Sequence, residues 1–178
     1  VAGHSMGGGV ALRHALLADA SPPDAYVLLA PNFGEGPTER APPEGPQDPS
    51  PYVHFDVTRM IGQLMLSSVG VTWFDGLPIL YFNDPHDVKA YSFRAVMSAQ
   101  PTRPHTADAA LASIDAPLLV VVGQDDEVFD AAAYPDFVAT HGDGRTVVLP
   151  GVNHQGVLES TETWSVVGAW FEGLGQPS

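Results

Sequence analysis

The sequence contains no cysteine among its 178 residues. A disulfide framework, a thiolate nucleophile and a cysteine-ligated zinc or iron–sulfur site are therefore excluded. Basic residues are also few, since 7 Lys and Arg stand against 21 Asp and Glu, which gives a formal net charge of −14. A surface with this charge repels nucleic acid and anionic lipid headgroups, and no basic run offsets it. We therefore predict no nucleic-acid partner.

Long apolar runs are absent as well. The longest run extends from Ala116 to Val122, which is far shorter than the roughly 20 residues that a membrane-spanning helix needs. We therefore predict no membrane span. The chain begins at Val1 without an initiator Met, a charged leader or an apolar targeting segment. We expect any targeting segment to lie upstream, so the compartment stays open, with the cytoplasm as the default.

The apolar residues that are present make up 44% of the chain, enough to bury a core. Short apolar runs typical of buried strands alternate with segments whose apolar residues recur at helical spacing. This alternation predicts an α/β fold, a mostly parallel sheet with flanking helices. The predicted strands are 25–30, 118–122 and 146–149, and the predicted helices are a first one from residue 6 that stops by residue 21, then 57–68, 88–98, 108–114, 131–140 and 159–174.

Residues 3–7 read Gly-His-Ser-Met-Gly, with an apolar dipeptide before them and an apolar helix pattern after them. In this strand–turn–helix context, a Gly-x-Ser-x-Gly sequence places a serine nucleophile, here Ser5, at the tip of a strained turn. The residues two positions away, Gly3 and Gly7, must then lack side chains. The N–H of Met6 would face a developing oxyanion from the positive end of the helix. The alternative is a serine that only caps the helix.

A serine hydroxyl needs a base to take its proton, and the base needs an acid to orient it. Such residues are expected in loops at the carboxyl ends of later strands. His154 follows the predicted strand 146–149, and two aspartates follow the predicted strand 118–122. The Gly-x-x-Asp spacing favours Asp126 over Asp125 as the acid. Glu127 and Asp130 are weaker candidates for the acid.

The other histidines are expected to be structural or solvated. His4 is expected to pack beneath the serine turn rather than act as the base, and His14 lies within the first helix. The remaining ones lie in loops or in the middle of the chain: His54, His86, His105 and His141.

Three segments together, residues 3–8, 117–126 and 149–154, resemble the α/β-hydrolase superfamily. The flanking residues resemble its lysophospholipase and monoacylglycerol-lipase-like branch. The resemblance implies a serine hydrolase that cleaves carboxylic esters of small or lipid-like molecules through an acyl-enzyme, with no metal or organic cofactor. Ser5 would be the nucleophile, His154 the base, Asp126 the orienting acid and the Met6 N–H one oxyanion-hole donor. A non-catalytic binding protein of the same fold, and a small-substrate peptidase or perhydrolase on the same triad, are the alternatives.

The resemblance also divides the chain into three parts. Residues 1–33 would hold the nucleophile elbow with its helix and the following strand, and residues 107–178 the C-terminal core with the acid and histidine loops. Between them, residues 34–106 would form a cap or lid-like insertion. The insertion would begin in an irregular segment, because residues 31–51 contain 7 prolines and 3 glycines, too many for a regular helix or strand. An apolar segment, 52–100, would cover the substrate, with plain core packing as the alternative.

Members of the superfamily carry several strands before the elbow. We therefore expect this chain to be a fragment that lacks the N-terminal strands and the loop with the second oxyanion-hole donor, and to be nearly inactive by itself.

Overall fold

The computed structural model describes residues 1–17, 19–34, 38, 53–83, 88–99 and 107–175. His86, His105 and most of the proline-rich stretch lie outside these residues. The chain divides into two compact units, one comprising Val1–Ala41 with Ala99–Ser178 and the other Pro42–Ser98. In chain order the elements are β1 (Ala2–His4), α1 (Met6–Ala15), β2 (Tyr26–Leu29), β3 (Val53–Phe55), α2 (Val57–Ser68), β4 (Pro78–Asn83), β5 (Val88–Ser92), α3 (Phe93–Ala99), α4 (Ala107–Ala112), β6 (Leu118–Gly123), α5 (Tyr134–His141), β7 (Gly144–Leu149), α6 (Gly156–Glu159) and α7 (Thr161–Leu174).

The first unit is built on a parallel sheet of four strands in the order β1-β2-β6-β7. Strands β2 and β6 are buried along their whole length, because helices cover both faces of the sheet. On one face, Leu28 and Val120 belong to a core cluster that includes residues of α1, α4 and α5. On the other, Val27 and Val121 share a cluster with Trp170 of α7. The predicted α/β architecture is therefore confirmed.

The second unit contains an antiparallel sheet of three strands in the order β3-β4-β5. The prediction of a helix over 88–98 is wrong for residues 88–92, which pair with β4. It is confirmed for residues 93–98, which belong to α3. The Ser92 hydroxyl accepts a hydrogen bond from the N–H of Ala95 at 3.2 Å and so helps to start that helix. The predicted helix 57–68 is confirmed as α2, with the Asp56 side chain accepting from the Arg59 N–H at its start.

Other boundaries differ from the predictions at places where local chemistry interrupts a helix. Helix α1 ends at Ala15, before the prolines that were expected to end it. The predicted helix 159–174 is two helices separated at Ser160, whose extended backbone (φ −67°, ψ 126°) begins α7 and whose hydroxyl accepts from the Glu162 N–H. A 3₁₀ turn over Ala131–Ala133 precedes α5. None of the helices in the described ranges has the length and hydropathy needed to span a bilayer.

Candidate active site

Three strands of the parallel sheet, β1, β6 and β7, end at the same edge of the sheet and deliver the predicted site residues there. Ser5 directly follows β1, Asp126 lies just past the end of β6, and His154 follows β7. Because parallel strands present their carboxyl ends together, residues far apart in the chain meet there. The edge holding these three loops is therefore the candidate site.

The structure brings the three side chains into one hydrogen-bonded chain. The Oγ atom of Ser5 lies 3.0 Å from Nε2 of His154. The other ring nitrogen, Nδ1 of His154, lies 2.8 Å from Oδ2 of Asp126. A carboxylate accepts at Nδ1 only if that nitrogen carries the proton, which leaves Nε2 free to accept the hydroxyl hydrogen of Ser5. The arrangement can therefore take a proton from the serine and hold the positive charge that results.

The backbone of Ser5 is strained. Its φ of 51° and ψ of −119° lie outside the regions that residues with a side chain favour. Main-chain hydrogen bonds hold it there, since its N–H donates to the carbonyl of Leu29 and its carbonyl accepts from the N–H groups of Gly8 and Asn32. The Ser5 side chain makes no capping bond to α1. The helix-cap alternative is therefore contradicted.

Glycines around Ser5 are required at some positions and not at others. A Cβ on Gly3 would overlap the carbonyl of Gly7, and a Cβ on Gly8 would lie 2.5 Å from Cβ of Pro31. A Cβ on Gly7 would meet nothing within 4 Å in the described part of the chain. The expectation that both neighbours two positions from Ser5 must lack side chains is thus wrong for Gly7. A side chain is excluded at Gly3, and also at Gly8, where α1 lies against Pro31.

Asp126 is fully buried, and its own loop holds it in place. Its Oδ1 accepts hydrogen bonds of 2.8 Å from the N–H groups of Val128 and Phe129. Burial by itself raises the pKa of this carboxyl, but the hydrogen bond and charge of His154 and the two backbone N–H groups together bring the pKa below its ordinary value. The ring of Phe129 packs edge-on against His154, with centroids 5.3 Å apart. Asp126 is therefore held ionised beside the imidazole.

The competing acids lie in different surroundings. Asp125 is exposed, and its backbone N–H donates to the carbonyl of Val152. Asp130 caps the 3₁₀ turn by accepting from the N–H of Ala132. Glu127 accepts a hydrogen bond of 3.1 Å from the backbone N–H of His154. Of the four acids, the structure places Asp126 on the imidazole.

The other described histidines lie in ordinary packing positions with one exception. Nδ1 of His14 lies 3.0 Å from the hydroxyl of Tyr26, and His141 packs on the ring of Phe137. His54 packs on the ring of Tyr81 within the second unit. The exception is His4, whose Nε2 lies 3.1 Å from the backbone carbonyl of His154.

The backbone N–H of Met6 begins α1 directly after Ser5. The first N–H groups of a helix have no partner inside the helix and carry its positive end. The Met6 N–H thus lies next to Ser5 in the chain, at the positive end of α1. Among the described residues, no group of three or more His, Asp or Glu side chains has the arrangement of a metal site.

Comparison with known proteins shows the family of this chain. Residues 1–164 match the family model described as the alpha/beta hydrolase family. The chain belongs to the alpha/beta hydrolase family. No curated protein matches this alpha/beta hydrolase chain.

Several solved structures share the fold of this alpha/beta hydrolase chain. A monoacylglycerol lipase from Paleococcus ferrophilus is 20% identical with a TM-score of 0.59, over 97% of this chain and 66% of that one. Est1E from Butyrivibrio proteoclasticus is 19% identical with a TM-score of 0.52, over 98% of this chain and 61% of that one. MGS-MChE2, an alpha/beta hydrolase from a lagoon-sediment metagenome of Mar Chica, Morocco, is 13% identical with a TM-score of 0.55. The match covers 98% of this chain and 61% of that one. The chain thus spans about three fifths to two thirds of the length of these structures.

Proposed function

We propose that this alpha/beta hydrolase chain carries the catalytic machinery of a serine hydrolase that cleaves carboxylic esters through an acyl-enzyme. The observation that carries the proposal is the hydrogen-bonded chain from Ser5 through His154 to Asp126, with distances of 3.0 Å and 2.8 Å. A strained serine at the start of a helix, joined to an imidazole that a buried carboxylate orients, is the arrangement that acyl transfer needs.

In the acylation step, Oγ of Ser5 attacks the carbonyl carbon of the ester while Nε2 of His154 takes the hydroxyl proton. The carbonyl oxygen becomes an oxyanion, to which the Met6 N–H donates a hydrogen bond. The tetrahedral intermediate then collapses. The bond to the leaving alcohol breaks, and His154 returns its proton to the alcohol oxygen, so that the acyl group is left on Ser5.

In the deacylation step, a water molecule attacks the acyl carbonyl and gives one proton to Nε2 of His154. The second tetrahedral intermediate releases the carboxylic acid, and Oγ of Ser5 recovers its proton from the imidazolium. Asp126 stays ionised throughout, holding Nδ1–H and stabilising the cation. Its lowered pKa suits this role because a carboxyl that is ionised near neutral pH balances the charge on His154.

A small or lipid-like ester is the proposed substrate, within the lysophospholipase and monoacylglycerol-lipase-like branch. The fold shared with the monoacylglycerol lipase from Paleococcus ferrophilus supports that class. The second unit by itself adds support, because it exposes large apolar side chains, with Trp73 89% exposed and Met65 and Phe74 also exposed. We propose that the segment 52–100 acts as a lid whose apolar residues contact an acyl chain.

The experiment that tests the proposal is labelling with a fluorophosphonate probe, followed by mass-spectrometric mapping of the adduct. It should be made on the full-length gene product that contains this chain. We expect an adduct on Ser5 that Ser5→Ala and His154→Ala abolish. A folded protein that gives no adduct and hydrolyses no activated ester would contradict the proposal and favour a binding protein of the same fold.

Activity assays on the same protein without the probe separate the alternatives within the enzyme class. Profiling with p-nitrophenyl esters, peptide p-nitroanilides and a peracid assay should show the highest kcat/KM with the esters. Higher activity with the anilides would indicate a peptidase, and peracid formation as the main reaction would indicate a perhydrolase.

A further inference from the structure

The peptide groups of His154 are bound by two side chains that adjoin the other two residues of the proposed triad. His4 immediately precedes Ser5, and its Nε2 lies 3.1 Å from the carbonyl oxygen of His154. Glu127 immediately follows Asp126, and its Oε2 lies 3.1 Å from the backbone nitrogen of His154. We propose that His4 and Glu127 are positioning residues that together hold the backbone of His154, an arrangement we name the His154 clamp. This inference rests on the proposed function, in which His154 is the base.

The path of the loop before His154 shows why such a clamp is needed. The main chain beyond β6 holds this loop at two points, because the N–H of Gln124 donates to Leu149 and that of Asp125 donates to Val152. A Cβ on Gly123 would overlap the carbonyl of Val152, so the loop lies directly on the end of the strand. Beyond Val152, the carbonyl of Asn153 still accepts a backbone hydrogen bond from the N–H of Val157, whereas the carbonyl and N–H of His154 bond to side chains. Side-chain chemistry therefore holds the peptide groups of His154 itself.

His4 can serve in the clamp only with a hydrogen on Nε2, as in the neutral Nε2–H tautomer or in the imidazolium. A carbonyl oxygen accepts hydrogen bonds and cannot donate them, so Nε2 of His4 carries a hydrogen. Burial lowers the pKa of His4, although its hydrogen bond to the His154 carbonyl acts in the opposite direction. The two imidazoles pack with centroids 4.9 Å apart. A neutral His4 can thus donate to the carbonyl without adding a second positive charge beside the imidazolium that forms on His154.

The clamp connects the three loops of the site. His4 belongs to the strand that ends at the nucleophile, Glu127 to the acid loop, and both contact the residue that must reach Ser5 and Asp126 at once. A displacement of about 1 Å between reacting groups can lower the rate of a reaction by roughly 10²-fold. Loss of one side of the clamp should therefore slow the chemical steps more than it changes substrate binding.

The test uses steady-state hydrolysis of p-nitrophenyl butyrate by the full-length gene product. His4→Phe fills a similar space without a donor, whereas His4→Gln retains an N–H donor. Glu127→Leu removes the acceptor, whereas Glu127→Gln retains an amide oxygen. We expect the Phe and Leu variants to lose about tenfold in kcat with KM changed less than about twofold. The Gln variants should recover most of that loss, and the exposed neighbour variant Asp125→Asn should match wild type.

The outcomes that would overturn the clamp are distinct from failure of the proposed function. If Ser5→Ala abolishes hydrolysis but the Phe and Leu variants keep the wild-type kcat, the clamp is wrong and the proposed function stands. Gln variants as slow as Phe and Leu, or a change confined to KM, would also overturn it. If Ser5→Ala leaves hydrolysis intact, the proposed function itself fails. If His4→Phe does not fold, the kcat values of Glu127→Leu and Glu127→Gln, two variants of an exposed residue, test the clamp in the same way.

Discussion

Nδ1 of His154 lies 2.8 Å from Oδ2 of Asp126, while the other oxygen of the same carboxylate accepts two backbone N–H bonds of 2.8 Å. One oxygen therefore fixes the carboxylate to its own loop, and the other fixes the imidazole to the carboxylate. The orientation of the proposed base is thus decided by the fold of the loop after β6.

Replacing the buried acid should affect catalysis far more than replacing its neighbour. An amide at residue 126 can present its NH₂ group to Nδ1, which would favour the tautomer with the hydrogen on Nε2. We expect Asp126→Asn to lower kcat by about 10³- to 10⁴-fold and the exposed-site variant Asp125→Asn to stay near wild type. Burst and steady-state kinetics with p-nitrophenyl butyrate measure both. Equal losses in the two variants would contradict the assignment of Asp126.

The free energy of unfolding should depend on pH through Asp126. Because its pKa in the folded state lies below the ordinary value of about 3.9, the unfolded chain binds a proton more readily than the folded one. Its contribution to stability is present above the unfolded pKa and is lost as pH falls through the folded pKa. Thermal unfolding from pH 6 down to pH 2.5 should show Asp126→Asn with a shallower loss of Tm than wild type below about pH 4. Parallel curves would contradict this prediction.

Gly7 and Gly8, the first two of the three glycines after Met6, should differ in their tolerance of a side chain. Gly8→Ala would put Cβ 2.5 Å from Cβ of Pro31, whereas Gly7→Ala meets open space among the described residues. We expect Gly8→Ala to lower the free energy of unfolding by about 1–3 kcal/mol. The matched variant Gly7→Ala should change it by about 0.5–1 kcal/mol or less, in the stabilising direction. Urea unfolding of both proteins measures the difference, and a reversed order would contradict the packing at Pro31.

The lid proposal predicts a change in substrate preference without a change in stability. Trp73 is 89% exposed and Phe74 is exposed as well, so truncation to alanine should leave Tm within about 2 °C of wild type. If these residues contact an acyl chain, Trp73→Ala and Phe74→Ala should lower kcat/KM for p-nitrophenyl decanoate more than for p-nitrophenyl acetate. A matched control is Trp164→Ala, which removes an exposed tryptophan from α7 in the other unit. If the Trp73 and Phe74 variants keep the wild-type ratio of kcat/KM for the decanoate and acetate esters, the lid proposal is wrong.

The amino-acid sequence by itself determined the elements whose signal is local. Buried strands β2 and β6 are continuous apolar runs, and α2 has apolar residues at helical spacing. The order of Ser5, Asp126 and His154, each just past a strand, singled out the site residues because parallel strands end at one edge. The choice of Asp126 over Asp125 rested on spacing alone, and the structure places that residue on the imidazole.

Only the tertiary structure decided what depends on partners distant in the chain. Residues 88–92 look helical in isolation but become a strand because β4 offers them a hydrogen-bonding edge. Nothing local shows that His4 contacts a carbonyl 150 positions away, or that Gly8 rather than Gly7 lies against another segment. The physical reason is common to all three. Backbone pairing, close approach and hydrogen bonding across the fold arise from the positions of segments in space, whereas periodicity and motif spacing report only on neighbours along the chain.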